Sequence, residues 1–419
     1  MVTTQQYIAR RKALLDKVPD SSILVIFGAK RQHKSADQHF PFWQLGNLHY
    51  LSGWQEPDAI LVMSKNRGIE STLYHVGKNS HDARWHGRNI SHTDAQIEHG
   101  FDHARPLKAF PEWLERQNQR YQSVFTLDAP ADFLARQQLT KAGEIDQLTL
   151  AKHLTAMRLV KTNEEIELMR EAGRITARAH KDTMRASAEH AFSNERQIAA
   201  SFQYYAQMNG ASGLAYDSIA AAGANACTLH YTKNNSKINP DECILLDAGC
   251  HIDHYCADVT RTWPVAGKFS AEQKAVYDVV MAAHRSCLQM LKPGVRFSEI
   301  HSHSQKLLVD GLKHIGVIKK SCDPQAAFEA FYGHAIGHSL GLDVHDPSPS
   351  REQFSLESNV VVTIEPGLYL SKSEHLEDDR FLGIGVRIED NIRVLDEGIE
   401  NFTENAPVEI TDIENLMSA

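Results

Sequence analysis

The sequence lacks the features that would assign it to several common classes of protein. Basic residues are not in excess, since the formal net charge is -9, which argues against a nucleic-acid-binding surface. No apolar signal core is visible near the amino terminus, and the early apolar run from Ile23 to Phe27 is far too short to span a membrane. We therefore expect a cytoplasmic protein with no nucleic-acid or membrane partner.

Cysteine is scarce and forms no recognisable pattern. The six cysteines show no CxxC spacing, so we expect buried, reduced thiols rather than a disulfide framework. Short-period repeats and low-complexity tracts are also missing. What remains is an ordinary globular composition, with 42% hydrophobic and 23% charged residues.

A length of 419 residues favours two domains. In the first, residues 1–157, strand-like runs at 22–29, 59–63 and 72–76 alternate with helical patterns, and a helix is predicted over 131–150. This indicates a smaller α/β domain. The second domain is predicted over residues 158–419.

The second domain repeats one order of elements. A capping box of Thr162 and Glu165 opens a long amphipathic helix, and a capping box of Ser270 and Gln273 opens another. Each set of helices precedes a pair of strands. This order predicts an α+β domain with an internal pseudo-repeat.

Two aspartates in the first strand pair stand out. The segments 243–246 and 259–263 are β-prone and are separated by a short polar stretch. If Ile252 and Asp253 form a two-residue turn, Asp247 and Asp258 become direct cross-strand partners. Like charges in that position destabilise the pair, which indicates a positive charge between them. For an arbitrary aspartate pair a solvated ribbon is the commoner outcome, but Asp247 follows an apolar run.

Glutamates repeat this pattern in the second half. Glu365 ends the apolar run from Val361 to Ile364 and precedes a Pro-Gly turn, and Glu389 ends the run from Gly385 to Ile388. A lone glutamate at a strand end is usually solvated. Two of them in this context predict that four carboxylates converge from two hairpins on one centre.

The segment from Gly333 to Asp346 supplies imidazoles. His334 and His338 are four residues apart, as in a helical zinc motif, but Gly333, Gly337 and Gly341 disfavour a helix and no glutamate follows His334. Four carboxylates and one imidazole make an oxygen-rich site that suits Mn²⁺ or Mg²⁺. Two-metal sites hold their ions about 3.5 to 4 Å apart and activate water for hydrolysis of an amide or ester.

In these motifs and their order, the chain resembles the pita-bread metallopeptidases, and within them the Xaa-Pro aminopeptidases (aminopeptidase P). The resemblance covers almost the whole chain and is strongest after residue 157. It implies two divalent metal ions, with Mn²⁺ expected. It further implies that Asp258 and Glu389 bridge the ions, that Asp247 completes one site, and that His338 and Glu365 complete the other.

The same resemblance implies roles around the metals. Glu365 is a candidate general base, and Arg387, on the same face of its strand as Glu389, a partner for a carboxylate ligand. His230 matches a histidine placed over the substrate. His334 and His345 match histidines that line the proline subsite and stabilise the tetrahedral intermediate. Tyr369 falls at a substrate-binding position.

The amino-terminal part resembles the family less closely. The stretches around Asp37 and from Ala83 to Arg88, which includes Trp85, resemble segments with which a neighbouring subunit caps the active site. Trp43 stands where the family usually has an arginine, so the details of this cap are expected to differ from those of the relatives. A homodimer or homotetramer is expected, with Asp37 and Trp85 binding substrate.

The resemblance therefore implies a metal-dependent exopeptidase. Such an enzyme releases the N-terminal residue from peptides with proline in second position, by a water or hydroxide that bridges two metal ions. An Xaa-Pro dipeptidase (prolidase) shares the fold and all five ligands and stays the alternative. A methionine aminopeptidase is disfavoured because it would hardly need the extra N-domain. A creatinase-like enzyme is disfavoured because such enzymes lack the full ligand set, which is complete here. A non-catalytic peptide-binding module is disfavoured, since a carboxylate cluster buried without metal is costly.

Overall fold

The computed structural model describes residues 2–66, 68–78, 83–85, 87, 90–117, 120–127, 139 and 144–418. The chain divides into two compact units, Met1–Arg158 (unit 1) and Leu159–Ala419 (unit 2). In the described ranges, no helix is both long enough and apolar enough to cross a membrane. The six cysteines are free thiols, and four of them are buried.

The strands of unit 1 are β1 (Ser22–Phe27), β2 (His33–Ser35), β3 (Gln38–His39), β4 (Ile60–Lys65), β5 (Ile69–His75), β6 (His103–Pro106), β7 (Ser123–Thr126) and β8 (Glu144–Asp146). Six of them form a mixed sheet of order β6-β5-β4-β1-β7-β8, and β2 pairs with β3 in a separate two-stranded sheet. The helices of unit 1 are α1 (Thr4–Asp16), α2 (Gly46–Ser52), α3 (His92–His99), α4 (Phe110–Glu115) and α5 (Leu148–Leu159), whose last residue belongs to unit 2. This sheet with its helices confirms the predicted α/β character.

The predicted helix over residues 131–150 is wrong at residues 144–146, whereas Leu139 and residues 148–150 are helical. Residues 144–146 form β8, and the next helix begins at Leu148. Apart from Leu139, residues 131–143 lie outside the described residues. The apolar spacing in this stretch was compatible with either element, and pairing of β8 with β7 decided for a strand.

Unit 2 alternates helices with short strands. The helices are α6 (Asn163–Glu189), α7 (Glu195–Met208), α8 (Ala271–Met290), α9 (Phe297–His314), α10 (Pro324–Phe331) and α11 (Ile410–Ser418). The strands are β9 (Gly213–Leu214), β10 (Ile219–Ala222), β11 (Cys243–Asp247), β12 (Cys250–Ile252), β13 (Tyr255–Cys256), β14 (Thr260–Pro264), β15 (Val361–Ile364), β16 (Gly367–Tyr369), β17 (Gly385–Arg387), β18 (Asp390–Val394) and β19 (Ile399–Asn401). Helices precede strands in each half, as the predicted pseudo-repeat requires.

Both predicted capping boxes are present in unit 2. At the start of α6, the backbone N–H of Thr162 donates to Glu165 Oε2 at 2.8 Å, and the Thr162 hydroxyl accepts from the backbone N–H of Glu165. Ser270 and Gln273 do the same at the start of α8. Since these bonds satisfy N–H groups that have no partner within the helix, they determine where each helix begins.

The first hairpin has a different turn from the one predicted. The central residues are Asp253 and His254, with φ of 49° and 67°, and Ile252 pairs with Tyr255. In this register Asp247 lies opposite Thr260, not opposite Asp258. The physical reason is that a two-residue turn of this hand needs positive φ at both centres, which aspartate tolerates and β-branched isoleucine does not.

In the second half, the carboxylates do face each other. β15 pairs with β18, and β16 pairs with β17, in one continuous register. That register places Glu365 directly opposite Glu389, at a break between the two ladders. Two carboxylates therefore leave neighbouring strands at the same level and project together.

Candidate metal centre

The five predicted ligands line one cavity of about 270 Å³ in unit 2. Asp247, Asp258 and Glu389 are buried, and His338 and Glu365 are partly buried. Each follows or ends a strand, except His338, which lies in the irregular segment 333–346. The absence of a helix there confirms the prediction made from its glycines.

Ligand atoms of Asp258, His338 and Glu389 lie within 4.8 Å of one another. His338 Nε2 is 3.4 Å from Asp258 Oδ2 and 3.5 Å from Glu365 Oε1. The Nδ1–H of His338 donates to the carbonyl oxygen of Ser339 at 3.0 Å, which leaves Nε2 as the atom directed at the carboxylates. This is the arrangement of a metal-binding histidine, whose second nitrogen holds the ring in place.

Tyr216 joins the two aspartates and was missed by the sequence analysis. Its hydroxyl oxygen is 2.6 Å from Asp247 Oδ1 and also lies at hydrogen-bond distance from Asp258 Oδ1. Burial and the charge of Asp247 raise the pKa of the Tyr216 phenol well above its usual value. Tyr216 lies between β9 and β10, outside any motif, so its role could be seen only once the hairpin was in place.

Arg387 connects both halves of the site. Its Nη2 donates to Asp247 Oδ2 at 2.6 Å, and its Nε donates to the Thr260 hydroxyl at 3.0 Å. The Thr260 hydroxyl in turn donates to Glu389 Oε2 at 2.7 Å. Thr260 was also missed, although it is the residue directly opposite Asp247. Through this chain one guanidinium orients a carboxylate from each hairpin.

Burial and mutual repulsion disturb the protonation of these donors. Burial and the charge of Asp258 raise the pKa of Glu389 well above its usual value. Burial raises the pKa of Glu365 to about 7, against the opposing charges of His338 and Arg387. For His338, burial is outweighed by Asp258 and Glu365, which raise its pKa to about 9.

The raised pKa values of Glu365 and Glu389 reflect a buried cluster of negative charge, which divalent cations would neutralise. Ligands give up protons when they bind metal, and four carboxylates with one imidazole match the preference of hard divalent ions. The residues present fit a metal centre.

His334 lines the cavity next to the carboxylates, whereas Tyr369, predicted to bind substrate, is buried and bonded to His334 without lining the cavity. The Nδ1–H of His334 donates to the carbonyl oxygen of Ala335 at 2.7 Å, so its Nε2 accepts from the Tyr369 hydroxyl at 2.8 Å. The same hydroxyl accepts from Arg387 Nη1 at 2.8 Å. Burial and the charge of Arg387 lower the pKa of His334 to about 3, so this ring is neutral.

Two further predicted histidines line the cavity. The ring of His345 packs edge-to-face on His338, with centroids 4.4 Å apart. His230 is exposed and lies next to Leu229 in an irregular loop. The structure thus brings together His230, His334 and His345 with the five predicted ligands.

Asp37 and Trp85 belong to unit 1, whereas every residue that lines this cavity belongs to unit 2. Asp37 is exposed and accepts a hydrogen bond from Gln38 Nε2 at 3.2 Å, and Trp85 is 69% exposed. The neighbouring His86 and Arg88 lie outside the described residues. The roles expected for Asp37 and Trp85 stay predictions.

Comparison with known proteins covers both units. Residues 167–396 match the model of metallopeptidase family M24, and residues 7–125 match that of the aminopeptidase P N-terminal domain. The chain is 33% identical to Xaa-Pro aminopeptidase of Haemophilus influenzae over 99% of this chain and 97% of that protein. It is 32% identical to mitochondrial intermediate cleaving peptidase 55 of Arabidopsis thaliana, over 100% of this chain and 83% of that protein. The solved structure of proline aminopeptidase P II from Yersinia pestis superposes with a TM-score of 0.90 at 31% identity, and the match covers 100% of both chains.

Proposed function

This chain belongs to metallopeptidase family M24, and from that membership we propose that it is a metal-dependent, proline-specific exopeptidase. It releases the N-terminal residue from peptides that have proline in second position. The observation that carries this proposal is the convergence of Asp258, His338 and Glu389, with Asp247 and Glu365, on one cavity. Relatives named Xaa-Pro aminopeptidase that align over nearly their whole length support the substrate class.

We assign the five donors to two divalent ions, with Mn²⁺ as the expected metal. Asp258 and Glu389 would hold both ions, Asp247 would hold one of them, and His338 and Glu365 would hold the other. The buried position of the carboxylates and their raised proton affinity support the assignment. When bound, such ions lower the pKa of a water molecule and polarise the scissile carbonyl.

Residues of this chain move the proton and hold the substrate. Glu365 is assigned as the general base, since its carboxylate lies at the cavity surface and burial brings its pKa to about 7. Arg387 orients Asp247 through its 2.6 Å bond, and its charge opposes the rise in the pKa of Asp247 that burial causes. Both are held by neighbours within unit 2, so they are in place before substrate arrives.

The histidines are assigned to the substrate. Both ring nitrogens of His334 are engaged, by Ala335 and Tyr369, so this ring offers an apolar edge suited to a proline side chain. His230 and His345 are assigned to hydrogen bonds with the peptide and the developing oxyanion. Tyr369, bound between His334 and Arg387, is assigned to the proline subsite through the His334 ring that it holds in place.

We further propose a cytoplasmic homo-oligomer in which Asp37 and Trp85 reach the active site of a neighbouring subunit. Trp85 is 69% exposed, so its ring is accessible to a neighbouring subunit. The variant Trp85→Ala is expected to weaken peptide turnover with the metal content unchanged. Loss of metal in this variant would contradict the assignment.

Turnover of the tripeptide Ala-Pro-Ala and of the dipeptide Ala-Pro tests the function. Metal-stripped protein is assayed with and without added Mn²⁺, and released alanine is quantified. Metal-dependent cleavage of the tripeptide, with the dipeptide a poor substrate, is the expected result. Preference for the dipeptide would instead identify a prolidase, and cleavage of neither would overturn the proposal.

A further inference from the structure

One buried carboxylate accepts hydrogen bonds from several parts of the loop that contains His230. Glu195 is the first residue of α7 and is 1% exposed. Its two oxygens together accept four hydrogen bonds. Oε1 accepts from the Ala222 backbone N–H (2.9 Å) and Asn225 Nδ2 (2.8 Å), and Oε2 from the Tyr231 hydroxyl (2.8 Å) and the Ser236 backbone N–H (2.8 Å).

These donors span the whole loop from residue 222 to residue 236. The loop leaves β10, makes a short 3₁₀ turn at Gly223–Cys227, and then runs without helix or strand to residue 236. Leu229 and His230, near its middle, line the metal cavity. Because an irregular loop has no ladder to hold it, the carboxylate fixes its beginning, middle and end at once.

A carboxylate offers acceptor sites on both oxygens and so satisfies all four donors. A glutamine would turn its amide NH₂ against one backbone N–H, that of Ala222 or of Ser236, and would require Asn225 or Tyr231 to accept instead of donate. Buried donors that lose their acceptor are costly, so the loop would shift to find new partners. We expect this shift to displace His230, because His230 is adjacent in sequence to Tyr231, one of the four donors.

We propose that Glu195 is a positioning residue, which holds the 222–236 loop so that His230 faces the metal cavity. This inference rests on the proposed function, because His230 is assigned there to the substrate. Glu195 itself belongs to the framework behind the loop and not to the cavity lining. A displacement of about 1 Å in a substrate-positioning group can lower the rate about 100-fold.

Steady-state kinetics of Glu195→Gln, His230→Ala and the double variant test the proposal with Ala-Pro-Ala. Glu195→Gln is expected to lower kcat/KM by about 10-fold or more, within the range that misplacement of such a group allows. Its metal content is expected to equal that of the wild type. In the His230→Ala background the same substitution is expected to have no further effect, since the residue it positions is gone.

Glu165→Gln is the matched control. Glu165 is also a buried glutamate in the first turn of a helix, and it accepts from a backbone N–H and from the Tyr255 hydroxyl at 2.8 Å. Glu165→Gln is expected to lower kcat/KM by the same factor in the wild-type protein and in the His230→Ala variant. Equal losses for Glu195→Gln in both backgrounds would overturn the proposal.

Two further measurements keep the test decisive. If Glu195→Gln does not fold, Tyr231→Phe removes one of the four bonds and is expected to depend on His230 in the same way. The ring signal of His230 in nuclear magnetic resonance spectra is expected to move in Glu195→Gln and not in Glu165→Gln. An unmoved signal would overturn the inference, whereas a moved signal in a protein that cleaves no Xaa-Pro peptide would overturn only the proposed function.

Discussion

The two halves of unit 2 bring their carboxylates to the centre by different registers. In the second half, Glu365 lies directly opposite Glu389. In the first half, the register places Asp247 opposite Thr260 and Asp258 opposite Gly249. In both halves of the pseudo-repeat the carboxylates reach the same centre, but the strands that carry them are paired in different registers.

Buried side chains also support the two halves differently. In the first half, the Nε2–H of His180 donates to the carbonyl oxygen of Ala248 at 2.9 Å. In the second half, Arg261 Nη1 donates to the carbonyl oxygen of Glu389 at 2.7 Å, and its Nη2 pairs with Asp390 at 2.7 Å. A neutral donor thus holds the backbone beside one carboxylate pair, and a buried ion pair holds it beside the other.

The largest effect is expected where the halves meet. Asp258→Asn removes a charge assigned to both ions, and it should lower metal affinity about 100-fold or more and abolish hydrolysis, since even outer partners of ligands cost 10–100-fold. Metal content and tripeptide turnover measure this. Asp253→Asn, in the turn of the same hairpin, is the control and should leave both unchanged. Full activity of Asp258→Asn would sink the dinuclear assignment.

The next effect tests the buried ion pair of the second half. Arg261→Met leaves Asp390 buried without its main partner, although His284 stays 3.3 Å away. We expect the free energy of unfolding to fall by about 3–5 kcal/mol, as for other broken buried pairs. Denaturant titration measures it. Adding Asp390→Asn should recover part of the loss, and no recovery would show that the ion pair is not its cause.

Each half of unit 2 has a glycine that lies very close to a backbone carbonyl group, so one substitution can be compared in both halves. A Cβ at Gly249 would lie 1.8 Å from the Ala257 carbonyl oxygen, and one at Gly337 would lie 2.0 Å from that of Thr363. Each alanine substitution should cost about 1–3 kcal/mol of stability, because the added methyl group forces two neighbouring backbone segments apart. Gly398→Ala, with a positive φ and open space around it, is expected to lose less. Equal losses at all three positions would show that the close contact is not the cause.

The smallest effect near neutral pH concerns His180. Burial lowers its folded pKa to about 3, so below pH 6.5 the unfolded chain binds a proton that the folded chain does not. Its contribution is complete above pH 6.5 and is lost as the pH falls toward 3, by at most about 1.4 kcal/mol per pH unit. His180→Gln should flatten this slope in thermal unfolding. His190→Gln, exposed just after the same helix, should not, and an unchanged slope in both would contradict the prediction.

Much of the site could be predicted from the chain because its signals are local. Glu365 and Glu389 each end a strongly apolar strand, and Asp247 follows another, so each carboxylate was recognisable from its neighbours. The capping boxes at Thr162 and Ser270 likewise depend on residues three positions apart. The turn of the first hairpin was misplaced by one residue, since only the sign of φ at Asp253 and His254 distinguishes the two registers.

The sequence by itself determined which residues could bind metal and which strands would carry them, because a charged residue next to an apolar run can be recognised from its immediate neighbours in the chain. Tertiary structure alone decided that Tyr216 joins two aspartates, that Thr260 relays Arg387 to Glu389, and that Glu195 and His180 hold their loops. These contacts link residues far apart in the chain. A buried polar group takes whichever partner packing brings within about 3 Å, and no local pattern encodes that choice.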